Sequence, residues 1–472
     1  DFKLIGKEYK TRRGKMIVAQ GNKFSISWPF TGIIPVFPIP KDDKFKPEVL
    51  SGLIERWAKD LLGKEVKDRQ GGDTYWGGKS MLKTCQAFNM AWQLQLPIAK
   101  DLYAEARRIT ADWLTHEPGE KAFYYARYPL PWSGLVGFNP SYGSEQFTDN
   151  HFHYGYLAMS VALVGMHDPV WLAKYGPPAR EVVKQYGEWE RGSKSYPRLR
   201  TFECWAGHSY AGGMSSGYDG NNQESSSEAV GSWAGMFFLG AAMNDPDMLA
   251  TGAMGYAIET EAVHEYWNNA YGWKDPEQSN WSSNYKPTIC SVMRDRDMGA
   301  WTWFSGEPIH IYGIQWLPAW THMNYFGAHK AHSVFQLNQM LMRQGKDKGK
   351  MTWEKIDGDW GQVTAAYAAF CQPDEICRVL DEAMEKKWKI SSPKHAGIPY
   401  YLAHASRAYG LIDPESHTDM PTSVVFKKPD GTRTALVYNL SNESKAVTVY
   451  VKGKQVLRGN LKAKGLMAVP LK

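Results

Sequence analysis

The spacing of apolar and polar positions changes period twice along the chain, and the two changes divide it into three parts. Residues 1–45 carry no helical period; Met16-Ile17-Val18 and Phe24-Ser25-Ile26-Ser27-Trp28 read as strands, the second by its alternation. A Pro-rich stretch from Ile34 to Pro40 closes this part. From Pro47 the spacing shifts. Leu50, Leu53, Ile54, Trp57, Leu61 and Leu62 share one helical face, and Pro47 stands in the first turn, where its missing N–H is tolerated. The pattern then predicts helices near 47–62, 79–95, 99–115, 151–165, 178–190, 224–243, 247–269, 327–344, 360–370, 373–388 and 398–410. Eleven or twelve helices joined by long loops rich in Gly, Ser and aromatic residues is the count of a toroid of six helical hairpins. Long loops of a compact domain are usually functional, and here they would gather at one end. After Pro414 strand-like runs return at Ser423–Phe426, Thr434–Tyr438 and Ala446–Val451, separated by the turn chemistry of Pro429-Asp430-Gly431 and Asn439–Ser444. The expected organisation is a β-rich segment at 1–45, a mainly α toroid at 46–415 and a small C-terminal β-structure at 416–472.

Composition narrows the class. With 43% hydrophobic and 22% charged residues the chain reads as globular, and no run of 18 apolar residues predicts a membrane span. Asp1-Phe2-Lys3-Leu4 lacks the charged start and apolar stretch of a signal peptide, as a mature exported chain also would. The net charge of +6 is dispersed, and clusters such as Lys10–Arg13 and Lys386-Lys387 are too short for a nucleic-acid-binding stripe. Cys85, Cys204, Cys290, Cys371 and Cys377 form no CxxC pair and no zinc spacing, so they read as single buried thiols. No phosphate-loop or dinucleotide fingerprint follows a strand, and neither cofactor nor metal is expected. Asn280, Asn439 and Asn442 begin sequons. The aromatic content is unusual: 20 Trp and 26 Tyr, many beside Gly, Asn, Ser or His, as in Tyr75-Trp76-Gly77-Gly78, Trp132-Ser133-Gly134 and Tyr271-Gly272-Trp273. Rings presented from polar loops suit the flat faces of pyranose sugars.

Two segments concentrate the chemistry. In Phe147-Thr148-Asp149-Asn150-His151-Phe152-His153-Tyr154-Gly155-Tyr156, Asp149 precedes an apolar helical run. By residue type alone it is more often an N-cap, yet two histidines and two tyrosines crowd around it. In Gly220-Asn221-Asn222-Gln223-Glu224-Ser225-Ser226-Ser227-Glu228, the two glutamates are four apart and on a helix would share a face. Acids at a helix start also suit the dipole, but the run of Asn, Gln and Ser beside them reads as the polar floor of a pocket. One Asp and one Glu are the minimal equipment for glycosidic hydrolysis: one protonates the leaving oxygen, the other activates water or attacks.

Taken together these words, "DNHFHYGY" at 149–156, "AGHSYAGG" at 206–213, "DGNNQESSSEA" at 219–229 and "IHIYGIQWLP" at 309–318, resemble glycoside hydrolase family 81, the endo-β-1,3-glucanases. The resemblance implies an (α/α)6 barrel and an inverting mechanism on β-1,3-glucan such as laminarin, curdlan or cell-wall glucan. Carried onto this sequence, it implies Asp149 as general acid and Glu224 as general base. Glu228 would tune that base or support the water, and His153, Tyr154 and His208 would line the cleft. Tyr75, Lys79, Asn222 and Gln223 join the expected substrate-contacting set. A secreted monomer without membrane or nucleic-acid partners is expected. The family pattern carries a large β-sandwich ahead of the barrel, where this sequence has about 45 residues; Asn150 stands where His is common, and Glu203-Cys204 where an Asp-led pair is more usual. Two alternatives remain at this point. A polysaccharide lyase on the same toroid could draw a base from His153, His208 or Tyr154, but no Arg cluster joins them to neutralise a uronate. A non-catalytic glucan-binding protein would have little use for Asp149, Glu224 and Glu228 together.

Overall fold

Helices alternate between an outer and an inner ring, and the burial of each follows from its residue pattern. The computed structural model describes residues 3–471 apart from 12–13, 24, 26, 130–132, 214–219, 273–280 and 347–348. Phe24 and Ile26 of an expected strand, Trp132, Trp273, Asp219 and the Asn280 sequon thus lie outside the described residues. The outer helices are α1 (Pro47–Leu62), α3 (Ala99–Asp112), α5 (Pro169–Gly187), α7 (Pro246–Ala262), α9 (Lys330–Gly345) and α11 (Pro373–Lys386). The inner ones are α2 (Trp76–Gln93), α4 (Asn150–Gly165), α6 (Ser226–Met243), α8 (Pro308–Gly313), α10 (Gly358–Ala369) and α12 (Pro393–Tyr409). Inner neighbours pack α2 on α4, α4 on α6, α8 on α10, α10 on α12 and α12 on α2. The ring closes between α6 and α8 through Ser226, whose Oγ donates to Gln315 Oε1 at 2.6 Å. The outer helices lie against the inner helices beside them in sequence, with α1 spanning α12 and α2, and α7 packing on α6. This is the expected (α/α)6 toroid.

Outer helices are amphipathic: α11 buries Ile376, Cys377, Val379, Leu380 and Ala383 along one stripe. By contrast α4 is buried at every residue and α6 from Ser226 to Gly240, as a helix apolar all round must be. Their backbones touch. A Cβ at Gly155 would lie 2.7 Å from Ser232 Cα, and one at Gly235 would lie 2.8 Å from the Gly155 carbonyl oxygen, so only glycine fits at either crossing position.

Several boundaries depart from expectation. Helix α5 begins at Pro169 rather than near 178, because Asp168 caps it by accepting from the Trp171 N–H at 2.9 Å, and it runs on through Pro177 and Pro178. The helix expected to reach 269 stops at Ala262 and continues as a π-helical turn, Val263–Trp267. Helix α8 was not expected; six residues are too few to display a period. The described part of the expected strand at 24–28 (Ser25, Ser27, Trp28) is irregular, having no neighbouring strand to pair with, whereas Gly14–Gln20 pairs with Lys3–Thr11 in a hairpin.

Residues 33–45 belong to the barrel's base. Ile33, Ile34, Val36 and Phe37 are buried, and the Trp320 indole, Thr321 hydroxyl and Tyr401 hydroxyl donate to the carbonyls of Pro35, Ile34 and Phe37 at 2.7, 2.6 and 2.6 Å. Beyond α12 the chain forms a four-stranded sheet ordered Leu411–Ile412, Ser423–Lys427, Arg433–Tyr438, Leu466–Leu471, and a three-stranded sheet of Ser416–Thr418, Lys445–Val451 and Lys454–Leu461. Alternation gives each strand two faces: Val424, Phe426 and Leu436 join the helical core, while Val425, Ala435 and Val437 pack on Val447, Val449 and Leu461 of the second sheet. Four cysteines are buried as expected, but Cys204 sits exposed in a loop. No helix among the described residues is long and apolar enough to cross a membrane.

Candidate active site

Three inner helices deliver their N-termini to one place. Asp149 is the residue before α4, and it does not act as the cap that its type suggests: its φ of 56° is left-handed and its side chain accepts no capping hydrogen bond. Its carbonyl, rather than its carboxyl, starts the helix, accepting from the His153 N–H at 3.1 Å. The carboxyl is left for other work. Burial, then the charges of Glu228 and Glu224, holds it well above the usual carboxylate range.

Glu224 is not on the helix with Glu228. It follows the two-residue strand Asn222–Gln223, which pairs with Val292–Arg294, and α6 starts only at Ser226. The reason lies in its backbone and side chain: the Gln315 amide donates to its carbonyl at 2.7 Å, and the Trp303 N–H donates to its Oε1 at 2.9 Å. Burial and the Glu228 charge raise the Glu224 carboxyl to about 7 against the pull of that Trp303 bond. The two glutamates still sense each other, but through the turn before the helix rather than along its face.

Glu228 occupies the first turn of α6, where the helix dipole favours negative charge. It is buried, and its Oε1 accepts from the Tyr156 hydroxyl and faces the Lys79 ammonium at 3.8 Å. Lys79, in the first turn of α2, donates to the Tyr75 hydroxyl at 2.5 Å and stands 4.0 Å from the centre of that ring. Burial lowers the Lys79 pKa and the Glu228 charge opposes that fall. His153 bonds Thr74 Oγ1 through Nδ1 at 2.8 Å, leaves Nε2 buried without a partner, and is held neutral, its pKa pushed to about 3 by burial and by Lys79.

Rings flank the acids on both sides. Tyr75 packs against His153, Tyr142 and Trp76, the last two exposed, and on the Glu224 side exposed Trp303 packs edge-on against Trp301. Asp149, Glu224, Glu228, Tyr75, Lys79 and His153 are therefore brought together. Tyr154 and His208 are not cleft-lining. Tyr154 lies one residue on from His153, turned into the core, where its hydroxyl donates to the Leu135 carbonyl at 3.0 Å. His208 is fully buried against Trp267, with Nδ1 2.9 Å from the Ser209 carbonyl. Gln223 is buried beside His151, and Asn222 serves the strand pairing, its carbonyl accepting from the Ala211 N–H at 2.7 Å. The three serines are no pocket floor; all are buried and latch α6 to the turn after α8, Ser225 Oγ donating to the Ile314 carbonyl at 3.0 Å.

Sequence reasoning missed Tyr156, Gln315 and the Trp303 amide. Tyr156 stood inside a quoted motif, three residues beyond His153 and so on the same helix face, which was a usable signal. The amide of Trp303 has none, because any residue could supply it. Among the described residues no three His, Cys, Asp or Glu side chains converge as metal ligands would.

The model of the Glycosyl hydrolase family 81 C-terminal domain matches residues 46–391. This chain belongs to glycoside hydrolase family 81. The family 81 chain is 30% identical over 446 residues to a glucan endo-1,3-beta-D-glucosidase of Acetivibrio thermocellus, covering 93% of this chain and 54% of that protein. A glucan endo-1,3-beta-D-glucosidase of Thermobifida fusca is 28% identical over 453 residues, covering 94% and 56%. In structure it matches glycoside hydrolase family 81 from Clostridium thermocellum, solved as a glutamate-to-alanine mutant, with a TM-score of 0.86 at 27% identity, over 100% of this chain and 62% of that one. The family 81 chain thus spans a little over half the length of these curated relatives.

Proposed function

We propose that this chain is an endo-acting glycoside hydrolase that cleaves β-1,3-glucan by an inverting single displacement. The observation that carries the reading is the set of three carboxyls with different fates at one site. Burial and like charge raise the cost of ionising Asp149 and Glu224 here. Glu228 is matched by Lys79 and Tyr156, burial lifts Glu224 to about 7, and burial with the charges of both glutamates holds the Asp149 carboxyl well above the usual carboxylate range. Asp149 then gives its proton to the glycosidic oxygen as the C1–O bond breaks. Glu224 takes a proton from the water whose oxygen bonds to C1 from the opposite face, and the product anomer is inverted. The flanking rings of Tyr75, Trp76 and Trp303 stack on the sugars. Lyase chemistry fits poorly: three carboxyls would repel a uronate, and Lys79 is already engaged by Glu228. A monomer acting outside the cell on a polymeric substrate completes the proposal.

The test is product release from laminarin and curdlan, with carboxymethylcellulose as control, by wild type, Asp149→Asn and Glu224→Gln. Activity on the β-1,3-glucans alone, lost in both variants, is expected, with the inverted anomer appearing first by NMR. Turnover mainly of the cellulose derivative, or full activity in either variant, overturns the reading.

A further inference from the structure

The acid and the base sit on different elements, and a single residue's backbone spans the gap between them. The Ala211 carbonyl accepts from the Asp149 N–H at 2.8 Å, and the Ala211 N–H donates to the Asn222 carbonyl at 2.7 Å, two residues before Glu224. Where Ala211 is held therefore bears directly on the spacing of the two carboxyls, alongside the Gln315 and Trp303 bonds that hold Glu224. The segment around Ala211 pairs through His208–Ser209 with Phe202–Glu203, is extended by the Tyr210 N–H donating to the Thr201 carbonyl at 2.7 Å, and beyond Ala211 exchanges two hydrogen bonds between the Gly212 backbone and the Asn221 side chain at 2.9 and 3.1 Å.

Behind it stands Glu259, a buried carboxyl in the last turn of α7 that the proposed reaction does not use. It collects three donors: the Ser209 N–H on Oε1 at 2.9 Å, and the Ser209 hydroxyl and Trp233 indole on Oε2 at 2.7 and 2.6 Å. Trp233 belongs to α6, and its ring fills the space over Gly255 of α7, where a Cβ would lie 2.1 Å from it. One carboxyl thus ties α7, α6 and the segment that carries Ala211. Burial lifts its pKa to about 7 despite those three donors. Burying a carboxyl this deeply is costly and is tolerated only where the group is needed.

We propose that Glu259 is a positioning residue for the reaction: by clamping Ser209 it fixes Ala211, and through Ala211 it sets the separation and mutual orientation of Asp149 and Glu224. This rests on the glucanase reading for its catalytic consequence, but the geometric claim is independent of it. An amide at this position keeps the shape yet turns one acceptor into a donor, so that either the Ser209 N–H or the Trp233 indole meets another N–H.

The experiment compares wild type, Glu259→Gln and Ser209→Ala, the last removing one of the three bonds and sparing the fold. For each, kcat and KM on laminarin are measured on folded protein, and the carboxyl of Asp149 is titrated by 13C NMR, with Asp149→Asn as assignment control. The expected result is a kcat lowered about 10- to 100-fold in Glu259→Gln and less in Ser209→Ala, at nearly constant KM. The Asp149 titration should fall by about one pH unit as its neighbours move off. A lowered melting temperature with unchanged kcat and unchanged Asp149 titration overturns the proposal, leaving Glu259 a purely structural group. If Glu259→Gln does not fold, Ser209→Ala decides alone. Were wild type inactive on glucan, the functional reading would fail and the Asp149 titration would still decide the clamp.

Discussion

Replacing the proposed base should stabilise the protein while silencing it, and the pH at which this happens follows from the structure. Glu224 titrates at about 7 instead of the usual 4.5. Between those values the folded chain holds a proton that the unfolded chain has released, so wild type loses stability as pH rises through that window. Each pH unit of separation is worth about 1.4 kcal/mol, which gives about 3 kcal/mol for the full gap. Glu224 is partly exposed, and solvent screening brings this down to about 1–2 kcal/mol. In Glu224→Gln the amide oxygen can still accept the Trp303 N–H, and no ionisation is required. The variant should therefore exceed wild type by about 1–2 kcal/mol near pH 8.5 and by much less near pH 5. For 472 residues this is about 1–2 °C in Tm, so urea titrations followed by tryptophan fluorescence at the two pH values are the better assay. A gain that is equal at both pH values, or a loss at the higher one, refutes the reasoning.

Other consequences follow from the same geometry. The dependence of kcat/KM on pH should be bell-shaped, rising through about 7 as Glu224 loses its proton and falling as Asp149, its pKa raised well above the usual carboxylate range, loses its own. Asp149→Asn should lower kcat by about 10³-fold and abolish the upper limb, which initial rates across pH will check. Lys79→Met leaves the Glu228 carboxylate buried without its cation and should destabilise by about 3 kcal/mol in urea titrations, with much of the loss recovered in the double variant carrying Glu228→Gln. Gly155→Val drives a side chain into the Ser232 backbone and should lower stability by about 3 kcal/mol or prevent soluble expression altogether.

The parts legible in the sequence are those where one local rule decides. Helix α1 announced itself by period and by Pro47, and α4 and α6 by apolar runs too long for strands. Lys3–Thr11 did not, because its mixed residues carry no clean alternation, and its strand character comes from the neighbour it pairs with. The acids were readable as a set, but their arrangement was not. The four-residue spacing of Glu224 and Glu228 suggested a shared helix face, and the long-range amides of Gln315 and Trp303, about 80–90 residues away in sequence, end the helix short of Glu224. Glu259 was invisible for a related reason. A single glutamate in a helix reads as a solvated position, and only its tertiary neighbours show that it is buried and held by three donors.

The left-handed start of α4 joins these observations. Tyr142, Gly143, Phe147 and Asp149 all have positive φ, and for the three non-glycine residues that conformation costs about 1 kcal/mol or more each. An ordinary N-cap at position 149 would be cheaper and would use the aspartate oxygen to satisfy an amide in the first turn. A carboxylate so used has a lowered pKa and cannot hold a proton at neutral pH. The left-handed backbone removes that option. Its cost keeps the Asp149 carboxyl free of the first-turn amides and buried beside two other acids, which moves its pKa well above the usual carboxylate range, the direction that the proposed general acid requires.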